Sequence, residues 1–193
     1  MPLLADTIVQ CGRQTLKNAI DLANEWGNDQ NGRWSGCRVL YGDTDSLFIR
    51  LPGRSVQEAF RFGEEFCKTV TSSNPPPVEL KLEKVYLGCM LQTKKKYCGM
   101  KFESPNQEKP SFEAKGLETV RRDQCALTQK ILRNSLVASF TKGISSTKKY
   151  ILRQWSLILS GELPVSDFVL TGRVRSRYVS FKFTRFVLPP FIC

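Results

Sequence analysis

Cys37-Arg38-Val39-Leu40-Tyr41-Gly42-Asp43-Thr44-Asp45-Ser46-Leu47-Phe48-Ile49-Arg50-Leu51 is the stretch on which the fold turns. Two β-prone runs, 37–41 and 47–51, flank five residues of Gly, Asp, Thr and Ser, which predicts a hairpin with a polar, acidic tip. Asp43 and Asp45 then project two carboxylates from one turn. Hard oxygen donors of this kind suit magnesium, and paired divalent ions can activate a hydroxyl nucleophile and neutralise a leaving phosphate. The plainer use of the same residues is an Asx-type turn, in which the carboxylates only satisfy backbone amides.

Outward from the hairpin, helical and extended patterns alternate. Upstream, Ile8, Val9, Leu16, Ala19, Ile20, Leu22 and Ala23 recur at helical spacing and predict an amphipathic helix over 5–23, followed by a polar loop over 24–36. Downstream, Ser55 with Glu58 three residues later is a capping-box signature, opening a helix that runs to Thr69 and stops before Pro75-Pro76-Pro77. Residues 78–84 alternate apolar and charged side chains and predict a half-buried strand. Residues 86–100 and 101–113 predict a strand pair with a Pro-containing loop at 104–110, and 123–140 and 147–160 predict two helices joined by a loop at 141–146. The expected class is α+β: an antiparallel sheet with helices on one face, followed by a mainly helical segment.

The 193 residues are 41% apolar, enough for one domain or two small joined ones. A balance of 29 Lys and Arg against 18 Asp and Glu gives +11, a surface that attracts polyanions. No apolar run is long enough to span a bilayer and the N-terminus has no signal-peptide order, so no membrane role is expected. The seven cysteines show no CxxC spacing and the chain has no histidine, which argues against a zinc site and for reduced packing thiols.

Two basic groups interleave with this frame. Lys94-Lys95-Lys96-Tyr97 combines point charges for phosphates with an aromatic able to stack or hydrogen-bond near a base or sugar. Lys115-Gly116 and Arg121-Arg122-Asp123 add guanidinium forks suited to phosphate. Each group alone could equally be a solvated face.

In their order along the chain, these strings resemble family B DNA polymerases. Tyr41-Gly42-Asp43-Thr44-Asp45-Ser46 resembles that family's motif C. Leu82-Glu83-Lys84-Val85-Tyr86 and Lys94-Lys95-Lys96-Tyr97 resemble its EKVY and KKxY segments, and Lys115 to Asp123 resembles the passage from palm to thumb. Within the family, Glu103-Ser104-Pro105-Asn106-Gln107, Lys115 to Asp123 and Arg153-Gln154-Trp155 carry a narrower likeness to the eukaryotic translesion enzyme. The resemblance implies a partial palm over 1–118, a partial thumb over 119–169 and a divergent basic tail over 170–193, disordered or the product of a mis-assigned exon.

It implies further that Asp45 bridges two magnesium ions with Asp43 beside it, and that Glu83 is an accessory metal carboxylate. Lys94, Lys95 and Tyr97 would grip the primer end of the DNA, and Lys115, Arg121 and Arg122 would hold primer phosphates. The implied reaction is attack of a primer 3′-hydroxyl on a deoxynucleoside triphosphate, with primer–template DNA as partner, accessory polymerase subunits on the full-length protein and the nucleus as location. The family's motif A aspartate, its motif B helix and its C-terminal iron–sulfur or zinc site have no counterpart in the sequence. The expectation is therefore a fragment, inactive alone. A non-catalytic basic DNA-binding module is the alternative.

Overall fold

The computed structural model describes residues 2–170, with side chains from Leu4 onward. The expected tail therefore lies, beyond Leu170, outside the described residues. The elements in chain order are α1 (Pro2–Asn28), β1 (Arg38–Asp43), β2 (Ser46–Arg50), α2 (Val56–Ser73), β3 (Val85–Thr93), β4 (Lys96–Phe102), β5 (Ser111–Lys115), α3 (Ala126–Lys142) and α4 (Ile144–Leu159), then a 3-10 turn over Val165–Phe168. The α+β class holds. In place of one sheet there are two antiparallel ones, the hairpin β1-β2 and the three-stranded β3-β4-β5.

The hairpin lies against α1 and α2. Its inward residues Val39, Leu47 and Ile49 pack on a buried cluster of Ala19, Ala23, Trp34, Cys37, Phe62, Phe66 and Val70. Edge-to-face ring pairs, Trp26 with Phe66 at 5.5 Å and Trp34 with Phe62 at 5.3 Å, fix how the helices meet. A second, smaller core of Cys98, Ala114 and Leu117 is covered by Phe112, Leu136 and Phe140, which brings α3 onto the three-stranded sheet.

Four expectations change. The helix predicted over 5–23 spans Pro2–Asn28, its last turn held by Trp26, which packs edge-to-face on Phe62 and Phe66. Residues 78–84 are extended with Leu80 and Leu82 half-buried, as their alternation predicts, but they join no ladder. They form a strap on α2, where Leu80 N–H donates to Thr71 Oγ1 at 3.0 Å and Leu82 fills the space left by the missing side chain of Gly63. The predicted strand pair 86–100 and 101–113 is three strands, since Lys94-Lys95 is itself a turn between Thr93 and Lys96. The 141–146 loop shrinks to Gly143, which separates α3 from α4.

Candidate metal-binding hairpin and nucleic-acid interface

The hairpin tip is tight. Asp43 pairs with Ser46 across the ladder, Thr44 adopts φ +56° and Asp45 N–H donates back to the Asp43 carbonyl at 2.6 Å. This is a three-residue turn of a strained kind, more so for a β-branched residue. The Asx-turn alternative requires a carboxylate to accept a backbone N–H. Here Asp43 Oδ1 takes only the Thr44 hydroxyl, at 3.3 Å, and the exposed Asp45 carboxylate has no hydrogen-bond or ion-pair partner among the described residues. The turn is closed by backbone and by Ser46 Oγ donating to the Asp43 carbonyl at 3.2 Å, leaving the Asp45 carboxylate open on the tip with the half-buried Asp43 carboxylate beside it.

The β3–β4 turn docks against this tip. Lys95 sits at φ +63°, its backbone N–H donates to Tyr41 Oη at 3.0 Å, and its Nζ lies 4.0 Å from Asp43 Oδ2. From the other side Gly116 comes so close that a Cβ there would stand 2.3 Å from the Lys95 carbonyl oxygen. Three segments far apart in sequence therefore meet at Lys95. Below the turn, Phe48 of the hairpin makes ring contacts with Tyr97 at 5.0 Å, Tyr41 at 5.7 Å and Tyr86 at 6.1 Å. Burial, with smaller charge effects around it, raises the pKa of Tyr97, so its hydroxyl stays protonated. That hydroxyl has no hydrogen-bond partner among the described residues and is free to donate to a ligand.

A carboxylate with no distinctive sequence signal organises the next layer. Glu113 on β5, its side chain only 14% exposed, receives Lys84 Nζ at 2.9 Å and the Tyr86 hydroxyl, with Lys101 at 4.0 Å and Lys115 at 3.8 Å. Burial alone would push its pKa up, but the hydrogen bonds from Tyr86 and Lys84 and the charges of Lys84 and Lys101 outweigh it and hold it below the usual carboxylate range. Desolvation, then the bond to Glu113, drives the Tyr86 phenol far above its ordinary pKa. The only hint in the sequence is that Glu113 is the sole acid of its strand.

The remaining expected residues divide. Lys94 and Arg122 are exposed and without ion-pair partners among the described residues. Lys115 is 56% exposed and loosely tied to Glu113. Arg121 is already forked onto Asp123, with Nε to Oδ1 at 2.9 Å. Glu83 is 80% exposed and lies 3.8 Å from Lys84 Nζ. No set of three His, Cys, Asp or Glu side chains placed to hold a metal occurs among the described residues, so Glu83 is not gathered with Asp43 and Asp45. The tip offers hard oxygen donors that fit one side of a divalent-cation clamp. Among the described residues no helix is long and apolar enough to cross a membrane.

The chain is 51% identical over 173 residues to the DNA polymerase zeta catalytic subunit of Arabidopsis thaliana, covering 89% of the chain and 9% of that protein. It is 45% identical over 176 residues to the human DNA polymerase zeta catalytic subunit, covering 91% of the chain and 5% of the relative. Identity to the DNA polymerase delta catalytic subunit of Mesocricetus auratus is 33% over 172 residues, covering 87% of the chain and 15% of the relative. The chain thus spans a small part of each relative's length. The sequence profile of DNA polymerase family B matches residues 2–187, past Val169 where the motif resemblance ends, and with nearly the whole chain inside that match the protein belongs to DNA polymerase family B.

Proposed function

We propose that this chain supplies the motif C hairpin and the primer-holding turn of a DNA-directed DNA polymerase of the translesion type, working in the nucleus. Residues 1–118 are read as palm and 119–169 as thumb. The observation that carries this is the junction at Lys95, where the carboxylates of the Asp43–Asp45 tip, the Lys94–Tyr97 turn and the Lys115-Gly116 loop come together.

Asp45, with Asp43 beside it, would hold divalent ions, and Glu83, which does not stand with them among the described residues, would serve only as a more distant accessory carboxylate. Bound magnesium supplies activation of the primer 3′-hydroxyl and neutralisation of the leaving pyrophosphate. The chain's own residues hold the primer: Lys94 and Lys95 place positive charge beside the tip, Tyr97 offers a protonated hydroxyl, and Lys115 and Arg122 present cations along the path to α3. Arg121 reaches a phosphate by exchanging its fork from Asp123, so its contribution is smaller than that of Arg122. With two carboxylates and no third donor gathered among the described residues, the chain alone binds metal weakly and does not extend primers; deoxynucleotide binding and accessory subunits belong to the longer polymerase.

The test is manganese binding, read by paramagnetic relaxation, together with primer–template binding by the 193-residue chain. Asp45→Ala should abolish the manganese signal and leave DNA binding within a few-fold. Manganese binding indifferent to Asp45 would sink the metal assignment and favour the second reading, a non-catalytic basic DNA-binding module. The net charge of +11 is what speaks for that module.

A further inference from the structure

The face of the hairpin turned away from the helical core carries, at its base, two arginines that neither its packing nor its tip employs. Arg38 opens β1, Arg50 closes β2, and the two are direct cross-strand partners. Val39 and Ile49, the next pair, point into the helical core, so the arginines stand on the opposite face, and both are exposed. Alternation along β2 puts Phe48 and Ser46 on that same face, where Tyr86 and Tyr97 cover Phe48 and Lys95 meets the far end, so the arginines stand exposed where that cover stops.

Like charges placed directly opposite across a ladder repel one another. Among the described residues neither guanidinium has a hydrogen-bond or ion-pair partner to offset this. Two nearby arginines are handled differently. Arg33 lies 3.6 Å from Glu65 and 4.8 Å over the Trp34 ring, while Arg54 lies 3.7 Å from Glu58 and donates to the Arg33 carbonyl at 2.8 Å. The arginines that tie the loop to α2 are neutralised, whereas the two that face each other on the hairpin are bare.

The geometry points to a phosphate-binding site formed by Arg38 and Arg50, occupied by the backbone of a nucleic-acid strand that also reaches the hairpin tip. This rests on the nucleic-acid reading given under Proposed function. Cross-strand partners stand about 5 Å apart at Cα, so two guanidinium forks can close on one phosphate or on two consecutive ones. Five residues of strand separate Arg38 from Asp43, about 17 Å of rise, which is about five base steps of duplex. One bound duplex can therefore touch the lysines at the tip and the arginines at the base.

The experiment is a salt titration of primer–template binding by the 193-residue chain, followed by fluorescence anisotropy, with Arg38→Gln/Arg50→Gln, Arg38→Lys/Arg50→Lys and Lys94→Ala/Lys95→Ala. Each lost phosphate contact lowers the slope of log affinity against log salt by ~0.9. The Gln pair should therefore lower it by nearly two units, the Lys pair should keep it, and the melting temperature of the Gln pair should not fall, because a repulsion is removed. Arg50→Gln alone should give about half the change in slope. An unchanged slope for the Gln pair, with a lowered slope for the lysine pair, would overturn this site while leaving DNA binding at the tip intact; the arginines would then await an acidic polypeptide. Failure of the unsubstituted chain to bind duplex at all would overturn the nucleic-acid reading itself.

Discussion

Lys95 shows how much of the candidate site depends on single positions. Its backbone N–H is held by Tyr41, its carbonyl abuts Gly116, and its own φ of +63° is a conformation that most side chains avoid. Gly116 is doubly constrained, by φ +68° and by the 2.3 Å approach of a Cβ to a backbone oxygen that no rotamer can move. Gly116→Ala should therefore displace the β3–β4 turn and cost about 1–3 kcal/mol, read by urea denaturation. The same substitution should weaken duplex binding by more than Lys115→Ala does, because it moves Lys94, Lys95 and Tyr97 together. Stability and affinity both unchanged would show that the turn does not rely on the close approach. The residue types at the site, paired acids at a turn and lysines before a tyrosine, are legible in the sequence. Their meeting is not, because nothing local to residues 41, 95 or 116 says that they touch.

At the scale of elements, legibility follows how local the cause is. The start of α2 is readable because a capping box is written in four residues. Ser55 Oγ accepts the Glu58 N–H at 3.2 Å, and Glu58 takes the Ser55 N–H at 2.8 Å. Ser55→Ala should lower stability by about 1 kcal/mol, measured by thermal unfolding. The Ser55 N–H and hydroxyl hold the Glu58 carboxyl below its ordinary pKa, so its contribution is present above the ordinary carboxylate value and fades as pH falls through the folded one. The loss caused by Ser55→Ala should accordingly shrink in acid; a loss independent of pH would mean that the box does not close in solution. The strap at 78–84 has a readable alternation, but whether an extended segment finds a ladder depends on what lies beside it, and here the neighbour is Thr71 and the bare backbone of Gly63. The turn at Lys94-Lys95 is silent in the sequence for another reason: it contains no glycine, asparagine or proline, and its positive φ is borne by a lysine fixed from outside.

At the scale of the whole molecule, the helical core around Phe62 and Phe66 and the smaller core around Cys98 are joined through Phe48, Tyr86 and Tyr97, and Glu113 keeps that joint in place. Its carboxylate ties Lys84 at the end of the strap, Tyr86 on β3, Lys101 on β4 and Lys115 on β5, and Tyr86 carries the connection to the hairpin by stacking on Phe48. Glu113→Gln keeps the shape and removes the charge. At neutral pH it should cost about 1 kcal/mol, less than the ~1.5–3 kcal/mol of a buried bond to a charged group because the site is partly wet. The sign of the pH effect follows from the lowered pKa of Glu113 in the folded chain. Between the folded and unfolded values the unfolded chain binds the extra proton, so the stabilisation is complete above about pH 4.5 and drains away as pH falls. The stability difference between the parent chain and Glu113→Gln should therefore close in acid, where the parent's own carboxyl is protonated and resembles the amide. Because the same carboxylate positions Tyr86, the substitution should also loosen the hairpin from the three-stranded sheet at neutral pH, broadening the unfolding transition monitored by tyrosine fluorescence relative to that monitored, in a Trp155→Phe background, by Trp26 and Trp34 at the helical core. Coincident transitions with a pH-independent stability difference would place the joint elsewhere, in the ring contacts alone.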